Sequence, residues 1–183
     1  MINIFAGLIF VFFKTNLSFL DIGATYYITN IIGYISIYFG INELGRTNQR
    51  LLKVRPHVII MIVHSIIFFL LNITGNSPLT IALSTTFEVI IALVGVVFIV
   101  AGMFLIFVII TELMDDLTSK TNKVSLYKLV NLMMLLFILA GISAYFSFIP
   151  MLAITIMGAL LLLEVIFLIR YYYVFLSKEG KYI

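Results

Sequence analysis

Long apolar runs separated by short polar stretches dominate the hydrophobic pattern of this chain. Val58–Leu71 and Val89–Ile110 are continuous apolar runs rather than alternations with period two. A backbone in hydrocarbon must satisfy its own hydrogen bonds, which restricts it to helices or to a closed barrel. Because barrel strands alternate apolar and polar residues, the pattern predicts an all-α transmembrane helix bundle.

Five segments are long enough to cross a bilayer, which needs roughly 20 helical residues. The predicted spans are Ile22–Ile41, His57–Ile73, Leu79–Ile110, Leu126–Phe146 and Pro150–Phe175. The third exceeds the length of a simple crossing. It either tilts in the membrane or begins with an interfacial turn, Leu79–Ser84, after the Gly75–Pro78 turn.

A sixth apolar run, Ile2–Phe13, is only about half a membrane long. It either lies in the interface, enters the membrane and returns, or extends to Leu20 as a sixth span that carries Lys14. Length alone does not separate these alternatives. Since no Lys or Arg precedes Lys14, we predict no cleaved signal peptide.

Basic residues concentrate in alternate connections. The uncharged connections are Thr74–Pro78 and Ser147–Pro150. The other connections and the C-terminal tail carry the basic residues Arg46, Arg50, Lys53, Arg55, Lys120, Lys123, Lys128, Arg170, Lys178 and Lys181. Lys and Arg close to span ends stay on the cytoplasmic side. The pattern therefore predicts a multi-pass cell-membrane protein with a cytoplasmic C-terminus.

Composition supports a single transmembrane domain, residues 1–183. Apolar residues make up 63% of the chain and charged residues 10%, against about 45–50% and about 25% in soluble domains. The chain has no cysteine, which excludes disulfides and thiolate metal sites. The basic residues behind its net charge of +3 lie in the loops and form no basic face. We therefore predict that the chain contacts the lipid bilayer and binds no nucleic acid.

Small residues recur at helical spacing within three of the predicted spans. They are Gly33, Ser36 and Gly40 on the first, Gly95 and Gly102 on the third, and Ala140 and Ala144 on the fourth. Spacings of four and seven place such residues on one helix face, where they let two backbones approach closely in lipid. We therefore predict helix contacts along these faces.

Four polar residues within the predicted spans are the candidate ligand- or proton-binding residues. They are Asn30, His64, Glu88 and Glu164. From the rise per residue, the first three lie about 12 to 14 Å below the outer ends of their spans, and Glu164 lies about 21 Å deep. Intramembrane ionisable groups mark function by default. The alternative is that the four side chains hydrogen-bond one another and fix the register of the helices.

Other chemistries find little support in the sequence. His57 and His64 are about 10.5 Å apart along one helix and too distant to share a metal ion. The Ser143 segment lacks the partner residues of an intramembrane serine protease. The acidic cluster at Glu112, Asp115 and Asp116 could hold magnesium, but neighbouring lysines favour a solvated, balanced loop. We predict no metal, no cofactor and no enzymatic activity.

The segment Ile28–Ile41, followed by the basic Lys53–Pro56, resembles a group of small, uncharacterised bacterial integral membrane proteins. These carry an Asp-Phe-Ile-Gly-Tyr-x-Leu-Ile-x-x-Gly-Leu segment early in the chain. Where the group tends to have Pro-Asp, this chain has Thr29-Asn30, so a role for that acid does not carry over. The resemblance implies a bacterial plasma membrane.

Two functions remain as hypotheses. The first is a non-enzymatic membrane subunit that binds a partner membrane protein or a second copy of itself, since the loops are short and no catalytic set is present. The alternative is a small transporter or channel with a proton- or cation-binding polar layer formed by Asn30, His64, Glu88 and Glu164. Burial of a carboxyl group beside a histidine would suit proton transfer.

Overall fold

A computed structural model describes residues 1–17, 24–78, 84–117, 120–146 and 150–176. Within these ranges the chain is all-α and contains no strand. The helices are α1 (Ile2–Leu17), α2 (Ala24–Gly45), α3 (Arg55–Ile73), α4 (Thr86–Leu117), α5 (Lys120–Phe146) and α6 (Pro150–Tyr171). A 3₁₀ turn, Gln49–Val54, precedes α3, and a π-helical turn, Tyr172–Leu176, follows α6.

Three stretches are long and apolar enough to cross a membrane: Gln49–Ile73, Thr86–Asp115 and Ile154–Leu176. Ile2–Phe13 and Val124–Ala140 are shorter apolar helices. The helix α2, which corresponds to the first predicted span, is in neither group. Its tyrosines and Asn30 lower its hydropathy, and its neighbours α1 and α3 cover much of its surface.

The helix bounds agree with the predicted spans most closely in α3 and α6 and least closely in α4. The third predicted span was expected to begin at Leu79, but α4 begins at Thr86 and continues past Ile110 to Leu117. Residues 79–83 lie outside the described part of the chain. The helix begins late because residues 84–88 form a polar helix cap. The prediction from apolar positions had included these residues in the span.

Side-chain contacts at one end of the bundle join neighbouring helices. Asn3 Nδ2 donates to Glu43 Oε2 at 3.2 Å, which joins the start of α1 to the end of α2. Tyr127 of α5 donates to Asp115 of α4, and Arg170 of α6 donates to Ser125 of α5. We call this end, with Arg46, Arg50, Lys53 and Arg55, the basic end. The six described helices therefore run alternately toward it and away from it.

The apolar core is concentrated toward the basic end. One continuous cluster of buried side chains includes Ile4 of α1, Ile41 of α2, Val58 of α3, Ile110 of α4 and Phe167 of α6. Among the residues whose burial the structure describes, the far half of the bundle contributes fewer members. In particular, the first half of α4 buries Ala92, whereas its second half buries Ile106, Phe107, Ile109, Ile110, Leu113 and Met114.

The predicted small-residue face of α2 is confirmed as the contact with α1. A Cβ atom added to Gly33 would lie 2.9 Å from the Gly7 carbonyl oxygen, and one added to Gly40 would lie 2.9 Å from the Ile4 amide nitrogen. Ser36 Oγ donates to the Asn3 carbonyl oxygen at 2.7 Å. Backbones this close require glycine, because any side chain would meet backbone atoms.

The other predicted small-residue faces differ in how much the structure describes. Gly95 faces Pro78 and Gly102 faces His64, so both residues form the contact between α4 and the α3 region. Ala140 of α5 is buried. The side chains of Ser143 and Ala144 lie outside the described part of the structure.

Candidate functional site

The four candidate residues do not form a single layer. Asn30 and His64 line one small cavity between α2, α3 and α4. Glu164 lines a second cavity, and Glu88 binds the start of its own helix. Of the four, the structure brings Asn30 and His64 together. We call these two residues and the others that line their cavity the α2–α4 junction.

His64 connects α3 to the backbone of α4. Its Nε2 lies 3.0 Å from the Phe98 carbonyl oxygen. A carbonyl oxygen only accepts hydrogen bonds, so Nε2 carries the proton and, in a neutral ring, Nδ1 is left as an acceptor. Gly102 lies one turn after Phe98, and a Cβ there would be 2.5 Å from the imidazole. Glycine at this position gives the ring access to the carbonyl.

Asn30 supplies a buried acceptor on the opposite side of the same cavity. Its side chain is 5% exposed, and its Oδ1 has no hydrogen-bond partner among the described residues. Tyr26, one turn earlier on α2, lies within hydrogen-bonding reach of the Asn30 amide. An unsatisfied amide oxygen in an apolar bundle costs roughly 1–3 kcal/mol.

The junction cavity is small and contains no charged residue among the described residues that line it. Its volume is about 10 Å³, close to the minimum that holds one water molecule. Apolar side chains, including Met61, Ile99 and Met103, complete its walls. The site thus suits a neutral donor the size of water better than a cation, because no described carboxylate would balance the charge.

Glu164 lines a separate cavity whose other described lining residues are apolar. It is 7% exposed and lines a cavity of about 30 Å³. The other lining residues are Val11, Phe12, Met103, Ile106, Phe107, Phe137, Met157 and Leu160. Met103 also lines the junction cavity, so this one side chain of α4 lies between the two sites.

Glu88 has a structural role at the first turn of α4. Its Oε2 accepts hydrogen bonds from the Thr85 amide at 2.7 Å and from the Ser84 hydroxyl at 2.6 Å. The Thr85 hydroxyl in turn accepts from the Glu88 amide at 3.3 Å. This reciprocal pair is a capping box, which satisfies amides at a helix start that have no partner in the helix.

The expectation that Glu88 lies level with His64 was wrong. His64 contacts the carbonyl of Phe98, ten residues beyond Glu88 and therefore about 15 Å further along the helix. The depth was counted from Leu79, and a late start of the segment was expected to place Glu88 less deep; α4 begins at Thr86. The signal was present in the sequence, since Thr85-Thr86-Phe87-Glu88 has the capping-box spacing of Ser or Thr and an acid three residues later.

The contacts of the acidic cluster near the basic end were not indicated by the sequence. His57 Nδ1 of α3 lies 3.0 Å from Glu112 Oε2 of α4, and each side chain is 34% exposed. Asp115, from the same acidic cluster, accepts a hydrogen bond from Tyr127. These acids therefore bind neighbouring helices, and the described residues include no group of three or more potential metal ligands.

Comparison of the chain with family models, curated proteins and solved structures finds no match.

Proposed function

We propose that the chain is a six-helix protein of a bacterial cell membrane with its C-terminus in the cytoplasm. The alternating direction of the helices supports this topology, because it collects the basic connections at one end. Lys and Arg near span ends favour the cytoplasmic side. The basic end is then cytoplasmic, and α6 ends there.

Packing of α1 supports a sixth membrane helix rather than an interfacial segment. Its 16 residues extend about 24 Å at the helical rise. Ile4, Leu8, Val11 and Phe12 are buried, and the helix runs antiparallel to α2 with Asn3 beside Glu43 and Val11 beside Gly33. A helix lying in the interface would bury one face in lipid and would not pack lengthwise against α2.

Within this topology the chain acts as a non-enzymatic membrane subunit that binds another membrane protein through the first half of α4. The observation that carries this proposal is the exposure of residues 86–101. Phe87 is 71% exposed, Leu93 65% and Val97 60%. At about 100° per residue, the exposed side chains cover an arc of about 200°, whereas those of α3 cover about 140°.

A half-helix that contacts so little of its own bundle is available to a partner. It carries no charged residue between Val89 and Ala101, and its small residues Ala92 and Gly95 are on the side toward α3. The exposed arc is therefore bulky and apolar. Because helices associate in lipid through van der Waals packing, a partner would have to match the shape of this surface. The separation of the acids into unrelated contacts also favours binding over transport.

Site-specific photo-crosslinking in native membranes tests the proposal. A photoreactive residue at Leu93 or Val97 is expected to form one defined protein adduct, whereas the same residue at Ile67 of α3, 49% exposed, gives lipid adducts only. The adduct must also correspond to a complex of fixed stoichiometry formed by the purified protein. Leu93→Trp should disrupt this complex, and Ile67→Trp should preserve it. Lipid adducts at all three positions would overturn the proposal.

A small transporter or channel is the second candidate. The observation that favours it is the pair of cavities on either side of Met103, one lined by Asn30 and His64 and the other by Glu164. Proton- or cation-dependent flux into proteoliposomes would then be lost in Glu164→Gln and His64→Gln. Glu88→Gln is the control, because its capping role does not involve either cavity. No flux in the wild type, or flux that survives in both cavity variants, would exclude this function.

A further inference from the structure

An open groove lies between α1 and α6. Phe5, Ile9 and Phe13 form one wall at intervals of one helical turn, and residues of α6 and the turn after it, including Val165, Ile169 and Tyr172, form the other. Its volume is about 340 Å³. Contacts between Phe5 and Tyr171 and between Phe12 and Phe167 form the seam beneath it.

The groove is elongated and open along one side. Phe5 and Phe13 are eight residues apart, which is about 12 Å along the helix axis. Such a groove accommodates an extended hydrocarbon chain lengthwise between the side chains of α1 and those of α6.

The polarity of the groove also matches a lipid. Its walls are apolar along most of their length, and its polar atoms are the hydroxyl groups of Tyr172 and Tyr173, which lie at the basic end. Tyrosine prefers the depth at which acyl chains meet head groups, since its ring is apolar and its hydroxyl binds polar atoms. An acyl chain between α1 and α6 would thus carry its glycerol backbone toward these hydroxyls.

We propose that the groove between α1 and α6 binds one acyl chain of a glycerophospholipid, with the head group at the basic end beside Tyr172 and Tyr173. This inference rests on the proposed membrane location but not on the proposed partner, because the groove and the first half of α4 are formed by different helices. The bound lipid joins α1 to α6 along the surface that their own side chains leave open. It is a structural ligand of the bundle.

A matched pair of tryptophan substitutions on α6 tests the proposal. Ile169 lines the groove and is 51% exposed, whereas Ile166 lies outside it and is 44% exposed. Purified proteins are exchanged into a delipidating detergent, supplied with phosphatidylglycerol of defined chain length, and examined by native mass spectrometry. Wild type and Ile166→Trp are expected to retain one phospholipid per chain, and Ile169→Trp to bind it about tenfold more weakly, a difference of 1.4 kcal/mol.

Thermal unfolding keeps the test valid if Ile169→Trp alters the fold. Added phosphatidylglycerol should raise the Tm of wild type and of Ile166→Trp, because a ligand bound only to the folded state stabilises it. Ile9→Trp, which fills the groove from α1, should abolish this rise while far-UV circular dichroism shows the wild-type helix content. Equal lipid retention by all variants, or none by the wild type, would overturn the proposal. Neither result would change crosslinking at Leu93.

Discussion

The α1–α2 contact and the first half of α4 are both apolar, but they use their apolar residues in opposite ways. In the α1–α2 contact, Gly7, Gly33 and Gly40 bring two backbones together and leave no room for a methyl group. In the first half of α4, bulky side chains such as Phe87 and Leu93 extend away from the bundle. Both regions are apolar, and residue size separates contact within the chain from surface left for the surroundings.

This contrast follows from the physics of helices in lipid. Transfer from lipid to a bundle interior provides no hydrophobic driving force, so close packing and interhelical hydrogen bonds must hold the helices together. The α1–α2 contact supplies both, with Ser36 and Asn3 hydrogen-bonding across the glycine positions. The first half of α4 supplies few such contacts apart from the His64 hydrogen bond to Phe98. It should tolerate substitutions that the α1–α2 contact does not.

The largest effect is expected for Gly33→Leu. A Cβ at this position would lie 2.7 Å from Val11 Cγ2 and 2.9 Å from the Gly7 carbonyl oxygen. The helices must then separate, and we expect the free energy of unfolding to fall by about 3 kcal/mol. Unfolding in mixed detergent micelles, followed by circular dichroism, measures it. The control is Gly158→Leu on α6, where no atom lies within 4 Å of the added Cβ; equal losses would contradict the packing argument.

A second comparison is made within α4 itself. Ile109 is fully buried in the second half of the helix, and Ile90 is 54% exposed in the first half. Ile109→Ala should lower the free energy of unfolding by roughly 1–3 kcal/mol. This loss is smaller than in the core of a soluble protein, because a side chain that leaves the core enters lipid rather than water. Ile90→Ala should change stability by less than about 0.5 kcal/mol. If the two variants unfold alike, α4 is packed evenly and the distinction between its halves is lost.

Much of the helix arrangement was predictable because it depends on local sequence. The apolar runs predicted α3 and α6 closely, and the spacing of Gly33, Ser36 and Gly40 predicted a contact face. The start of α4 was misjudged because residues 84–88 were counted by hydropathy rather than by hydrogen-bonding capacity. The capping spacing of Thr85 and Glu88 was the better signal.

The candidate site was less predictable because it depends on the relative positions of the helices. Depth along a helix says nothing about which face a side chain occupies, so Asn30 and His64 could be grouped only by approximate level. The same limit applies to Glu164, because Met103 separates its cavity from the junction cavity. The pairing of His57 with Glu112 joins residues 55 positions apart, and no local pattern indicates it.

The α2–α4 junction provides a smaller effect, and it tests whether α4 is held through His64. Gly102→Ala would place a Cβ 2.5 Å from the imidazole and displace it from the Phe98 carbonyl. Interhelical hydrogen bonds in membranes contribute about 0.6 kcal/mol and at most about 1.7, so a loss of this size is expected. In a double-mutant cycle, Gly102→Ala should cost nothing further once His64→Ala is present. Additive losses would show that Gly102 acts independently of His64.

The smallest effect is expected at Glu88, where a structural and a functional role predict different results. A capping box accepts Gln in place of Glu, so Glu88→Gln should change stability by less than about 0.5 kcal/mol, whereas Glu88→Ala should lose about 1 kcal/mol. The measurement is again unfolding in detergent, with Thr85→Ala as the partner variant, since each side chain accepts from the amide of the other residue. A proton-binding acid would behave differently, because Gln cannot titrate. Loss of an activity in Glu88→Gln at unchanged stability would therefore restore Glu88 to the candidate site and make the first half of α4 part of it.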